Sequence, residues 1–304
     1  MKNQLLVLLF FICLSNSCSK EQHVLCESIN HNSSEIVDEW NHPGRYSPYN
    51  VLDNDLKTCF AMRNNKKNNT SDLNVIFKEP IILSKIKMTS GYTKNKTTFE
   101  NNHRIKSVKI EFLRETDEEF HGFSPVFSHK FELSDRMAAQ EIILPKKIKA
   151  SWIKFVVYDL YPTKKDRDVC ISMINLYDDD KQIKITNLAK VKERYLNEFD
   201  DQFKSVLTDD SLEFRDSSPN VYSIIKAKNN ELHIIDDADK GKIQIIKKFK
   251  WKVENHKLYF SNVDSDKWYL IHYTDMRGDS IDFKCDELNL NGAICVDIHN
   301  GIAP

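Results

Sequence analysis

Strict alternation of apolar and polar residues, rather than helical periodicity, governs most of this chain and restricts what it can fold into. Residues trade places in this way along LNVIFKEP, IILSKIKMTS, RIKSVKIEFL and SPVFSHKFEL, followed by the apolar QEIILP and the long SWIKFVVYDLY. A period of two puts every second side chain on one face, so each run buries one side and leaves the other in water. Short runs at fairly even spacing, with no helical pattern between them, predict an antiparallel sandwich over residues 33–177.

The pattern changes once. Over NLAKVKERYLNEFDDQFKSVL, the residues Leu188, Val191, Tyr195, Leu196, Phe199, Phe203, Val206 and Leu207 recur at helical spacing, with Asn187 as a candidate cap. Beyond Asp209 the alternating runs return in VYSIIKAK, ELHIID, KIQIIKKFKWKV, KLYFSNV, KWYLIHYT, SIDFKCDEL and AICVDIH, joined by short polar turns. The fold class expected is therefore mainly β. A smaller antiparallel β-meander domain with one N-terminal helix, spanning 181–304, follows the sandwich after a tight join at 178–181. Trp251, Tyr259, Phe260, Trp268, Tyr269 and Tyr273 are expected to fill the core of that second unit.

The N-terminus carries a different signal. MKNQLLVLLFFICLSNSCSK has one lysine, an apolar run from Leu5 to Leu14 and then small polar residues ending in Cys18. The run is too short to span a bilayer and suits a secretory signal. Leu14-Ser-Asn-Ser-Cys18 resembles a bacterial lipobox, which makes residues 1–18 a lipoprotein signal peptide and Cys18 the site of lipidation (palmitate or a similar acyl chain); a signal peptide cleaved nearby without acylation is the alternative. Residues 19–32 read as a polar tether. The expected location is the exported, membrane-attached face of a cell envelope, periplasmic or surface-exposed, with the lipid bilayer as one partner. A formal net charge of -1, with lysines scattered among acids, argues against a nucleic-acid partner.

Export permits disulfides. Cys26, Cys59, Cys170, Cys285 and Cys295 lie beyond Cys18, an odd set that leaves at least one thiol unpaired within the chain. Cys285 and Cys295 flank DELNLNGAI, whose Asn-Gly turn would let them face each other across a hairpin. There is no CxxC pattern or Cys/His cluster with zinc spacing.

Three segments together carry a resemblance: YSPYNVLDNDLKTCF (46–60), GYTKNKTTFENNHRIKSVKI (91–110) and FVVYDLYPTKKDRDVCISMI (155–174). In order and spacing they resemble the discoidin-like F5/8 type C domain that accompanies bacterial NAD glycohydrolases, the NADase-type glycan-binding or translocation domain. That family's pattern runs Asn-x-x-Asp-Gly-Asp-x-x-Thr-x-Trp, then Gly-Tyr with Asn-Asn-Arg, then a Tyr-Pro-Gly tract ending in Asp-Thr-Cys-Ile-Ser-Glu. Here Asn54 replaces the first glycine, Phe60 the tryptophan and Thr163 the glycine after Tyr-Pro. The resemblance implies an eight-stranded jelly roll over 33–177, with ligand taken by loops at one end. It also implies that Cys59, after the Thr58 turn, faces Cys170 on the last strand and pairs with it.

Two site readings follow. Asp53, Asp55 and Thr58 offer hard oxygens suited to a structural calcium, but Met173 stands where relatives of the fold place a glutamate, so a turn held by hydrogen bonds from Asp53 and Thr58 is the competing reading. Sugars present hydroxyls and weakly apolar ring faces, so their sites combine planar polar groups with aromatic platforms. The second and third segments supply Tyr92, Lys94, Asn101, Asn102, Arg104, Tyr161, Lys164, Asp166 and Asp168 as candidate glycan-binding residues, with Phe99 and His103 beside them. The competing reading is a solvated loop with a Gly91 corner and a structural Arg104–Asp168 ion pair.

Enzymatic patterns are weak. His233 and the aspartates of HIIDDADKG, with Asp275 and Asp279, are spaced like strand ends and turns, and no G-x-S-x-G or phosphate-cradling glycine loop is present. No catalytic residue is assigned. The function expected is non-catalytic carbohydrate binding by an exported lipoprotein, with a structural or protein-binding envelope protein as the alternative and NAD glycohydrolase activity in 181–304 a more distant one.

Overall fold

The computed structural model describes residues 22–31, 42–63, 71–116, 122–165, 168–208, 212–216, 221–227, 230–236, 244–277, 280–288 and 290–296. The signal segment with Cys18, and the candidate Asp166, lie outside the described residues. In chain order the first unit comprises β1 (His23–Val24), β2 (Cys26–His31), β3 (Phe60–Met62), β4 (Asp72–Ser90), α1 (Lys96–Asn101), β5 (Arg104–Glu115), β6 (Phe123–Glu132), β7 (Gln140–Tyr161), β8 (Val169–Asp178), β9 (Lys181–Gln182) and β10 (Lys184–Ile185).

Two pairs of runs that read as separate strands are single bent strands. β4 joins LNVIFKEP to IILSKIKMTS, and β7 joins QEIILP to SWIKFVVYDLY. They pair with each other over Asp72–Met88 and Gln140–Val156, and the register shifts between Ile76 and Ile81 and again between Leu83 and Lys85. Pro80 and Pro145 fall in these interruptions, where a residue without an N–H breaks no ladder hydrogen bond. The first part of β4 pairs with β2, its last part with β8, and the last part of β7 with β5. Each long strand thus passes from one layer of the sandwich to the other at a proline corner. The sandwich core between the layers contains Phe60, Leu73, Phe77, Ile81, Ile86, Phe112 and Phe155, all buried. Each such side chain contributes roughly 2 kcal/mol on burial.

The segment expected as a polar tether is corrected over its described part. His23–Val24 pairs in parallel with β10, and Cys26–His31 pairs antiparallel with β4, opposite Phe77 through Leu73. Cys26 and Ile29 are buried in the core, so alternation over CESINH outweighs the polarity of the stretch.

α2 (Leu188–Thr208) leads to the second unit. Leu188, Val191 and Tyr195 pack on the sandwich core; Phe199, Phe203, Val206 and Leu207 enter a second core, and Tyr195 touches both. Asn187 does not cap this helix with its side chain. Its amide accepts from the Cys26 N–H at 2.9 Å and donates to the Cys26 carbonyl at 2.7 Å, tying the helix start to the entering strand.

The second unit contains β11 (Leu212–Asp216), β12 (Val221–Ala227), β13 (Glu231–Asp236), β14 (Gln244–Glu254), β15 (Lys257–Asn262), β16 (Tyr269–Leu270), β17 (His272–Arg277), β18 (Ser280–Cys285) and β19 (Leu290–Val296). The meander's pairing order runs from β16 through β15 down to β11, then β19, β18 and β17. Only Ile271 separates β16 from β17, and its N–H bonds the Leu258 carbonyl at 3.0 Å. The two ends of the order are therefore one run of chain, and the sheet closes on itself as a barrel around Phe214, Leu232, Phe249, Trp251, Phe260, Phe283 and Ile294.

Two expectations for this unit are corrected. Tyr259 lies opposite Lys252 on the face away from Trp251 and Phe260, and it and Trp268 are covered from outside by lysines rather than filling the core. The hairpin of β18 and β19 sets Cys285 opposite Leu290 and Cys295 opposite Ser280, at its two ends, so a Cys285–Cys295 disulfide does not fit the register.

Candidate functional site

The loops after β4, β6 and β7 meet at the end of the sandwich opposite the proline corners. Gly91 opens the first of them at φ +87, a left-handed conformation natural to glycine. A Cβ there would come within 2.6 Å of the Arg104 Cγ and 2.9 Å of the Phe99 ring, so the backbone approach is as demanding as the angle. Asn95 caps α1 by accepting from the Thr98 N–H at 2.8 Å, while the Thr98 hydroxyl bonds back toward Asn95. The helix closes with the Asn102 side chain donating to the Thr98 carbonyl at 2.8 Å.

Arg104 is the hub of this end. It is 7% exposed, its Nε and Nη2 donate to the two oxygens of Asp135 at 3.0 and 2.8 Å, its Nη1 donates to the Asn102 carbonyl, and its guanidinium lies over the Phe99 ring. The structural ion pair expected between Arg104 and Asp168 is thus made with Asp135. Asp168 contributes its carbonyl, which accepts from the His103 N–H at 3.0 Å. Tyr161 is opposite Arg104 in the β5–β7 ladder, and its hydroxyl donates to the Leu133 carbonyl at 2.8 Å. Gln140 holds the loop that supplies Asp135, accepting from the Ser134 N–H at 2.6 Å and donating to its carbonyl at 2.8 Å.

Between α1, the 133–139 loop and the turn after β7 lies an open cleft of about 610 Å³, lined by Lys96, Phe99, Glu100, Arg104, Asp135, Arg136, Met137, Pro162, Thr163 and Lys164. Of the candidate residues, Arg104 and Lys164 line it. Lys164 bonds Glu100, and that bond holds the Glu100 carboxyl below its ordinary range. Asn102 and Tyr161 support its walls, and Lys94 points into solvent. Tyr92 lies to one side, packed on Cys59, Ala61 and Cys170 and edge-on to Tyr46 at 6.2 Å. Burial raises its phenol.

Cys59 and Cys170 are brought together, and the structure records both as free, buried thiols. Ala61, two residues beyond Cys59, is the cross-strand partner of Cys170. A hydrogen bond with the Cys59 thiol, then burial, raises the Cys170 thiol well above the ordinary range.

The turn at 53–58 is held by its own side chains. Asp53 accepts from the Thr58 hydroxyl at 2.9 Å and the Asp55 N–H at 2.8 Å, and Asp55 accepts from the Lys57 N–H at 2.9 Å. Asn54 takes the left-handed conformation, φ 62, that glycine has in the related pattern. Met173 presents a thioether that accepts from Asn175, and no cluster of three or more potential metal-binding acids, histidines or cysteines occurs among the described residues. Asp53, Asp55 and Thr58 are thus engaged with one another, and Met173 adds no hard oxygen to them. The first residue of that tract, Asn50, is buried and donates to the carbonyls of Gly44, Arg45 and Cys59 while accepting from Lys192 on α2 at 2.9 Å.

The sequence pattern of the family described as NAD glycohydrolase translocation F5/8 type C domain matches residues 24–177. This chain belongs to that family. Within the F5/8 type C family pattern, Asn50, Gly91, Asn102 and Arg104 are the residues that fix the loops. Similar solved structures include the family 32 carbohydrate-binding module of C. perfringens NanJ in complex with galactose (16% identity, TM-score 0.36, covering 50% of this chain and 93% of that one). Others are chitosan-binding module 2 from a Paenibacillus sp. IK-5 chitosanase/glucanase with chitotriose (10%, 0.36, 51% and 98%) and an F5/8 type C domain from Bacteroides fragilis (12%, 0.36, 54% and 98%). Comparison with curated proteins finds no match.

Lys96, Glu100, Asp135, Arg136, Met137, Pro162 and Thr163 line the cleft without having been singled out from the sequence. SDRMAA, between β6 and β7, breaks the alternation around it. That break was the available signal for a loop, but nothing local says that it stands beside α1. The enzymatic candidates do not converge among the described residues: His233 sits 3.5 Å from Glu231 on its own strand, and 237–243, the Asp275 side chain and Asp279 lie outside them. No described helix is long and apolar enough to cross a membrane.

Proposed function

We propose that this protein is an exported, non-catalytic carbohydrate-binding lipoprotein, anchored through acylated Cys18 and taking a sugar unit in the cleft between α1, the 133–139 loop and the turn after β7. The observation that carries the reading is the cleft itself, concave, open, and lined by apolar Phe99, Met137 and Pro162 among polar and charged groups. That mixture suits a sugar ring's weakly apolar face and its hydroxyls, and its volume lies within the roughly 300–1,000 Å³ of small-ligand sites. Family membership supports it. A glycan array probed with the full chain should return binders, and absence of binding at millimolar glycan overturns the reading. Metabolic labelling with a clickable fatty acid should mark the wild type and not Cys18→Ser. In the exported protein Cys59 and Cys170 are expected to close a disulfide, read as a loss of two hydrogens in the intact mass.

A second reading has one observation in its favour. Tyr92, Asn102, Arg104 and Tyr161 are all engaged in holding the loops, as expected of an envelope scaffold without a sugar site. Under it the array stays blank while cross-linking captures a protein neighbour.

A further inference from the structure

The charges around the cleft do not balance. Lys96, Arg104, Arg136 and Lys164 stand against Glu100 and Asp135. Arg104 is spent on Asp135, with both carboxylate oxygens engaged, and Lys164 is spent on Glu100. Lys96 keeps 83% of its side chain in water and reaches Glu100 only at 3.8 Å, an oxygen pair that Lys164 already shares. Arg136 is exposed, and its guanidinium has no hydrogen-bond or ion-pair partner among the described residues. Its backbone is nevertheless fixed, because the Arg136 N–H donates to the Ser134 carbonyl at 3.0 Å and Ser134 is clamped by Gln140. The lining therefore carries two positive charges in excess, with exposed Lys96 and Arg136 on the rim of a cleft whose floor is the buried ring of Phe99.

We infer that the sugar unit this cleft takes is acidic, bearing a carboxylate or sulfate that meets Arg136 and Lys96 while the ring rests against Phe99 and Met137. The inference rests on the glycan-binding reading and narrows it. A planar guanidinium can grip a carboxylate or sulfate through two parallel hydrogen bonds, and a flexible ammonium can follow it as a point charge. A neutral sugar in the same place can accept hydrogen bonds from these groups but leaves the excess positive charge unneutralised. The chain's overall charge of -1 gives no general attraction for anions, so a preference of this kind would have to be local.

The test uses the full chain and sugars matched in backbone but not in charge: an oligogalacturonate against its methyl ester, and a sulfated oligosaccharide against its desulfated form. In about 0.1 M salt, where the screening length is about 10 Å, the charged member of at least one pair should bind about tenfold more tightly. In about 1 M salt, where that length is about 3 Å, the difference should collapse. The double variant Lys96→Ala with Arg136→Ala should lose the preference while its melting temperature holds, because neither side chain is buried. Preference in the first pair alone assigns a uronate, and in the second alone a sulfated sugar. Equal affinity within both pairs overturns the acidic assignment and leaves the glycan reading standing. A preference that survives the double variant overturns the assignment to this cleft. Failure to bind these sugars and a neutral panel alike overturns the glycan reading, and this inference with it.

Discussion

The two flanks of the loop end share the 91–104 segment and differ in what they leave free. On one flank Tyr92 is packed against Cys59, Cys170 and Tyr46, and the 53–58 turn satisfies its own carboxylates. On the other flank α1 and the 133–139 loop stand apart around an open cleft whose lining carries two positive charges in excess. Gly91 and Arg104 join the two. Here the motif residues Asn50, Gly91, Asn102 and Arg104 fix loop geometry, while the exposed Lys96 and Arg136 of the cleft are not motif positions.

Variants should separate the two roles. Gly91→Ala should disturb both flanks at once, destabilising the protein by about 3 kcal/mol, since it combines a left-handed backbone with overpacking against Phe99 and Arg104. Denaturant titration measures this, and a change under 1 kcal/mol would mean that the corner relaxes. Arg104→Ala should cost about 2–3 kcal/mol, below the usual range for breaking a buried pair because Asp135 keeps 36% of its side chain in water. It should also loosen the cleft, so sugar binding falls together with stability. Tyr161→Phe removes one hydrogen bond to the Leu133 carbonyl and should cost about 1 kcal/mol in the melting curve. Arg136→Ala should leave stability within about 0.5 kcal/mol, as surface changes do, and act only on binding. If Arg136→Ala destabilises while Arg104→Ala does not, the division of labour between support and ligand contact is wrong.

Much of the first unit was legible. Alternation identified its strands, and three short tracts identified its family. The proline corners were less so, since Pro80 and Pro145 read locally as strand ends, and only the pairing of β4 with β7 on both sides of them reveals continuous bent strands. The tether was misread because its polar residues lie on the outer face of β2 while Cys26 and Ile29 face the core. In the candidate site the sequence supplied Arg104 and Lys164, which lie in the tracts that carry the resemblance, but neither Asp135 nor Arg136, because the loop between β6 and β7 carries no motif and only the tertiary structure sets it beside α1.

Sequence alone determined the local periods: strands of period two, one helix of period 3.6 with an apolar face, and the turn residues that glycine or asparagine must occupy. These are properties of a few neighbouring residues, so they can be read without knowing what lies across the core. The tertiary structure decided which charges meet. It gave Arg104 to Asp135 rather than Asp168, spent the Asn187 side chain on the Cys26 backbone rather than a helix cap, and closed the second sheet by running β16 into β17. Each depends on which loops and edges the two layers bring together, and hydrogen bonds and ion pairs act over about 3–4 Å between residues that chain order leaves far apart.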